Sequence, residues 1–154
     1  MSGKLAGEIK QTKPFGSAEE EALLNLMRTA SVLEGAETAA LKPYDLSLPQ
    51  YNILRILRGA GSKGLACQEI AERMITRDPD VTRLLDRLEA RALVQRARSI
   101  EDRRVVVTKI AEAGVRLLAS LDAGLKDLPG KLLGHMGEKR LRALIGLLER
   151  ARGE

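Results

Sequence analysis

Tryptophan is absent from this chain of 154 residues, and aromatic side chains make up only 2%: Phe15, Tyr44 and Tyr51. A core without large rings must be built from Leu, Ile, Val, Met and Ala. The scarcity also argues against recognition of single-stranded nucleic acid, which stacks bases on aromatic platforms. With one cysteine, Cys67, an internal disulfide is excluded and no metal-ligand set is offered. The single histidine, His135, has no catalytic or metal-binding company, so a surface or packing role is expected. No nucleophile constellation, phosphate-cradling glycine loop or catalytic carboxylate pair is present. Neither an enzyme nor a cofactor is expected. No apolar run approaches the roughly 18 residues of a membrane span, and the N-terminus lacks a signal-peptide core. A cytoplasmic protein without membrane contact is the expectation.

What is there in excess is arginine. The formal charge is +5 and the sequence pI about 9.6, a balance that favours a polyanionic partner without identifying one. Between Arg73 and Arg104 lie nine arginines, no lysines and six acids, a net +3 (9 − 6). Arginine suits bidentate contact with phosphate or guanine. Charge alone leaves open a solvated face of self-compensating pairs.

Patterning decides between these. Residues 1–16 are polar and glycine-containing, and read as a flexible arm. Ser17 and Glu20 form a capping-box start for a helix reaching about Leu41, with a wide apolar face of Leu23, Leu26, Met27, Ala30 and Leu33. Pro43 breaks it. Ser47 caps a second helix with Pro49 in its first turn and Gln50 completing a capping box; Ile53, Leu54, Leu57 and Ala60 face inward. Leu65-Ala66 is a candidate minimal strand. Cys67 to Met74 reads as a two-turn helix with Ile70, Ala71 and Met74 inward, followed by a turn at Ile75-Thr76-Arg77.

Asp78 as N-cap and Pro79 as first helical residue then predict another helix. Val81, Leu84, Leu85 and Leu88 form its buried face. Its polar side presents Asp80, Thr82, Arg83, Asp86, Arg87 and Arg91, with Arg83, Arg87 and Arg91 on one stripe. Pairing Arg83 with Asp80 and Asp86 would add only about 0.2–0.5 kcal/mol per pair, little reason for so many arginines. Leu93 to Arg98 and the β-branched Arg104 to Thr108 read as two strands, with Ser99 to Arg103 as a charged tip. The succession is a winged helix-turn-helix, a form suited to gripping duplex DNA.

The run Asp78-Pro-Asp-Val-Thr-Arg-Leu-Leu-Asp-Arg-Leu-Glu-Ala-Arg-Ala-Leu-Val, then Asp102-Arg103-Arg104 and Ile110-Ala-Glu-Ala-Gly114, resembles the MarR family of bacterial transcription regulators from about Ala18 to Arg152. The resemblance implies a mainly α fold with a small β-wing: a winged helix-turn-helix reader (47–110) flanked by dimerisation helices (17–41 and 111–152) within a single domain, 17–154. It implies a homodimer on a pseudo-palindromic operator in double-stranded DNA. By position, Arg77, Pro79, Asp80, Thr82 and Arg83 would meet bases and phosphates. Asp102 would orient an arginine, and Arg104, with Arg103, would enter the minor groove; Arg87 and Arg98 complete the DNA-binding set. Three departures stand out. Ile75 occupies a turn position that often holds glycine, Asp78 and Asp80 bring carboxylates near DNA, and Ala111 replaces the usual capping threonine.

After the wing, Glu112 to Asp127 is helical, with Val115, Leu118, Leu121 and Leu125 in a stripe. Leu128-Pro129-Gly130 interrupts it, and Gly137-Glu138 opens a last helix to about Arg152 that buries Leu141, Leu144, Ile145 and Leu148. The expected function is a dimeric repressor relieved by a small-molecule effector. The effector is implied by the resemblance alone, with Tyr44, Tyr51 and Arg55 near the junction by position. The alternatives are a winged-helix protein-interaction module without DNA readout and a redox-responsive regulator acting through Cys67, whose thiol opens a helix.

Overall fold

The computed structural model describes residues 3–77 and 80–153. They fall into two compact units, 1–39 and 40–154. In the first, α1 (Leu5–Glu8) precedes α2 (Ala18–Leu41), whose last turn crosses into the second. Ser17 starts α2 as expected, its Oγ accepting the Glu20 N–H at 3.2 Å. Glu20 reaches back to the N–H of Gly16, at 2.6 Å, rather than to that of Ser17. Part of the segment read as a flexible arm is tied to α2: the Gly3 N–H donates to Glu21 and Glu8 lies 3.8 Å from Arg28. Leu23, Met27 and Val32 on α2 remain more than half exposed.

In the second unit, a 3-10 turn over Lys42–Tyr44 leads to Asp45, which sits in the left-handed region at φ +52°. α3 (Leu48–Ala60) opens with the expected capping box: Ser47 Oγ accepts the Gln50 N–H at 3.3 Å, and Gln50 Oε1 accepts the Ser47 N–H at 3.0 Å. Its Ile53, Leu54 and Leu57 are fully buried. After it come β1 (Leu65–Ala66), α4 (Cys67–Arg73), α5 (Val81–Ala90), β2 (Val94–Arg98) and β3 (Val106–Ile110). The sheet is antiparallel in the order β1-β3-β2, with Leu65 opposite Thr108, Val94 opposite Ile110 and Arg98 opposite Val106. The two-stranded ribbon therefore gains Leu65-Ala66 as a third strand. One aliphatic core joins α3, α4, α5 and α6 (Glu112–Leu125).

Gly114 marks the tightest join. A Cβ there would overlap the Leu93 carbonyl oxygen and come within 2.8 Å of Ile110 Cγ1, so only glycine lets α6 pack on the strand ends.

Several boundaries depart from expectation. Asp80 is the observed N-cap of α5, accepting the Arg83 N–H at 3.1 Å; Asp78 and Pro79, the expected helix start, lie outside the described residues. β3 begins at Val106 because Asp102 holds the Arg104 N–H and its carbonyl accepts from Val105, keeping both residues in the tip. Leu128-Pro129-Gly130 does not merely interrupt: it opens α7 (Leu128–Leu133), with proline in the first turn where its missing N–H costs nothing. α6 lacks a side-chain cap, as Ala111 predicts. On α8 (Glu138–Ala151) no residue is buried: Ile145 is 53% exposed, while Leu141, Leu144 and Leu148 are half-buried. The expected burial of this face is not met by the described residues of one chain.

Candidate nucleic-acid interface

α5 is amphipathic in the literal sense. Val81, Leu85 and Leu88 are buried, while Thr82, Arg83, Asp86 and Arg87 are exposed. Its end is set by a Schellman cap: the Ala92 N–H donates to Glu89 and the Leu93 N–H to Leu88, with Ala92 at φ +55°. Its start is held by Asp80, whose second oxygen lies 3.9 Å from Arg83 Nη1. The visible work of Asp80 is thus to cap the helix.

The other acids of α5 turn toward the sheet. Asp86 Oδ1 accepts from Arg96 Nη2 at 2.5 Å, and Glu89 lies 3.7 Å from Arg96 Nε. Arg96, a residue the sequence reading passed over, thereby bolts β2 to α5 and draws Asp86 away from Arg83. Among the described residues, Arg77, Arg87 and Arg103 form no ion pair and all three are exposed, so their charge is left to solvent.

The wing tip is braced by side chains on the main chain. Ser99 Oγ accepts from the N–H groups of Glu101 and Asp102, at 3.2 and 3.4 Å. Arg98 donates to the Arg103 carbonyl at 2.8 Å, so its guanidinium supports the loop. Asp102 Oδ1 accepts the Arg104 N–H at 2.9 Å and lies 3.4 Å from Arg104 Nε. Arg104 is left 94% exposed. Asp102 and Arg104, paired by the sequence pattern, are thus in contact in the fold.

Three further placements bear on the site. The departure at Ile75 needs no glycine: its φ is not positive, and its N–H donates to Asn52 Oδ1 at 2.9 Å. Asn52 was invisible in the sequence, an amide in the middle of α3 that belongs to no motif. Thr82 Oγ1 lies 3.6 Å from Cys67 Sγ, joining α5 to α4. Arg91 does not share the outward stripe of Arg83 and Arg87; it turns back onto the carbonyls of Tyr44 and Asp45.

A separate pocket of about 340 Å³ is lined by Tyr51, Arg55, Arg58, Asp122, Leu125 and Lys126. The Arg55 guanidinium stands 5.7 Å from the Tyr51 ring centroid. Arg58 donates to Asp122, whose carboxylate raises the arginine's pKa further. Two of the three residues proposed for an effector, Tyr51 and Arg55, meet here. Tyr44 does not line the pocket and instead packs on the core.

Comparison with known proteins gives a consistent picture. The family model described as MarR family matches residues 46–106. A crystal structure of a MarR transcription factor from Planctomyces limnophilus is 40% identical, covering 88% of this chain and 98% of that one, with a TM-score of 0.67. The helix-turn-helix transcriptional repressor MdtR of Bacillus subtilis is 31% identical over 110 residues, 71% of this chain and 66% of MdtR. A mutant MarR from E. coli complexed with operator DNA shares the fold, with a TM-score of 0.75 at 21% identity over 82% of this chain and 89% of that one. The chain spans 59–66% of the length of four curated regulators that it matches.

Proposed function

Because the chain belongs to the MarR family of helix-turn-helix transcription regulators, we propose that it binds duplex DNA as a homodimer and represses transcription. The observation that carries this reading is the wing: Asp102 holds Arg104 by its main-chain N–H and stands 3.4 Å from its Nε, with the side chain 94% exposed. α5 enters the major groove with Thr82, Arg83 and Arg87 toward the duplex, and Arg77 and Asp80, in the segment leading into it, approach the same groove. Arg104 and Arg103 reach the minor groove, where narrow width concentrates negative potential. Arg98 shapes the wing from behind.

The dimer rests on the uncovered apolar residues of α2 and α8, including Met27 at 62% exposure and Ile145 at 53%. Burying such residues against a second copy removes them from water at about 25 cal/mol per Å². Two readers related by a two-fold axis would sit one helical turn apart, roughly 10 bp, so the operator is pseudo-palindromic.

Relief of repression is assigned to a small molecule in the Tyr51–Arg55 pocket. Three cations, Arg55, Arg58 and Lys126, face one carboxylate, Asp122, which suits an anionic effector.

Salt titration tests the reading. Binding to a duplex from the promoter adjoining its own gene should show a steep negative slope of log K against log salt, and a preference of about 10³ or more over random DNA. Salt-insensitive binding, or equal binding to both duplexes, would leave the protein-interaction alternative standing.

A further inference from the structure

Arg91 follows the last residue of α5, and its guanidinium crosses to the segment leading into α3. Nη1 donates to the Asp45 carbonyl at 2.5 Å and Nη2 to the Tyr44 carbonyl at 3.2 Å. The receiving carbonyls are held firmly. Leu41 and Leu46, on either side, are 1% and 6% exposed. Tyr44 packs on the core, its hydroxyl so near α6 that a Cβ on Gly124 would come within 2.8 Å of it. A planar fork on two successive carbonyls is a two-point attachment that a lysine ammonium does not reproduce.

The apolar contacts of α5 set its depth but are non-directional, so they leave its tilt and axial position loosely defined. Directed bonds supply what is missing. Arg96 holds one flank through Asp86 and Glu89, and Arg91 holds the C-terminal end. Hydrogen bonds to base edges weaken steeply as angle and distance drift, whereas attraction to phosphates tolerates such drift.

We propose that Arg91 is a positioning residue for DNA readout: it fixes the pose in which α5 presents Arg83 and Arg87 without itself touching DNA. This rests on the reading of α5 as the recognition helix. Losing Arg91 should therefore cost discrimination between sequences rather than general affinity.

The test uses the full chain, a duplex selected by the wild-type protein from a random pool, and a scrambled duplex of the same composition, each over a salt series. For Arg91→Ala, the preference for the selected duplex should fall about tenfold or more. The salt slope on both duplexes should stay as in wild type, and Arg91→Lys should recover only part of the preference. A slope flattened by roughly 0.9, with both duplexes weakened equally, would make Arg91 a phosphate contact and overturn the proposal. Unchanged preference overturns it as well. If circular dichroism shows Arg91→Ala unfolded, Arg91→Lys is read by the same criteria: reduced preference at constant slope supports the proposal, and full preference overturns it. A wild-type protein that selects no duplex defeats the recognition-helix reading itself, and the proposal with it.

Discussion

The side-chain carbonyl of Asn52, on α3, accepts the main-chain N–H of Ile75 at 2.9 Å, and so holds the turn between α4 and α5. Ile75 is 83% exposed, so water can replace a lost acceptor and the cost of removing it is moderate. Asn52→Ala should lower stability by about 1 kcal/mol, and Asn52→Asp, which keeps an acceptor oxygen, by less. Urea denaturation of both variants checks this, and equal losses would show that the bond contributes nothing.

Ala92 carries a Cβ in a conformation that favours glycine, φ +55°, as the residue that closes the Schellman cap of α5. Left-handed strain of about 1–2 kcal/mol is offset in part by the greater freedom glycine has in the unfolded chain, about 0.4–1 kcal/mol. Ala92→Gly should therefore stabilise the fold by about 0.5–1 kcal/mol. A lower midpoint in thermal unfolding would contradict the strain argument.

At Gly114 the sign reverses. The obstacle to a Cβ is the Leu93 carbonyl, main chain fixed between α5 and β2, together with the Ile110 side chain. Gly114→Ala should cost about 2–3 kcal/mol, since the helix propensity gained is smaller than the overlap created. Denaturant midpoints at constant slope would measure it.

The same residues show how far the sequence could be read. Capping boxes and apolar spacing located α2, α3, α5 and α8 to within a few residues, because they are local signals. The glycine at 114 and the wing acid at 102 were legible only as pattern; their reasons, a close carbonyl and a guanidinium held at 3.4 Å, needed coordinates. Arg91 misled, since a four-residue repeat places it with Arg83 and Arg87, yet a long side chain at a helix end can turn back to non-local carbonyls. Asp78-Pro79, a strong local start signal, lies outside the described residues, and the cap that is described, Asp80, offers the same carboxylate two positions on. Non-local partners such as Asn52 and Ile75, twenty-three residues apart, leave no periodic trace.

The apolar face of α8 gives a test of assembly independent of DNA. Ile145 is 53% exposed, so a charge there costs little in the isolated fold but would be desolvated in a dimer seam. Ile145→Glu should shift sedimentation from dimer to monomer while leaving the far-ultraviolet circular dichroism spectrum near wild type. A variant that remains dimeric would remove α8 from the interface.

Asp102 offers a prediction whose direction is not obvious from charge. Removing a carboxylate from a surface facing DNA relieves repulsion from phosphates, so electrostatics alone predicts tighter binding for Asp102→Ala. The geometry argues the opposite. Asp102 holds the Arg104 N–H and stands 3.4 Å from its Nε, and without it the 94% exposed side chain must be ordered on binding. Ordering a long side chain costs about 0.5–1.5 kcal/mol at an interface, and the tip loses its turn as well. Asp102→Ala should therefore weaken binding to a selected duplex by roughly 3- to 10-fold, and Arg104→Ala by more. The double variant should weaken it no further than Arg104→Ala, because the acid acts through the arginine. If Asp102→Ala binds more tightly at low salt, repulsion outweighs orientation and the wing is not preorganised by this pair.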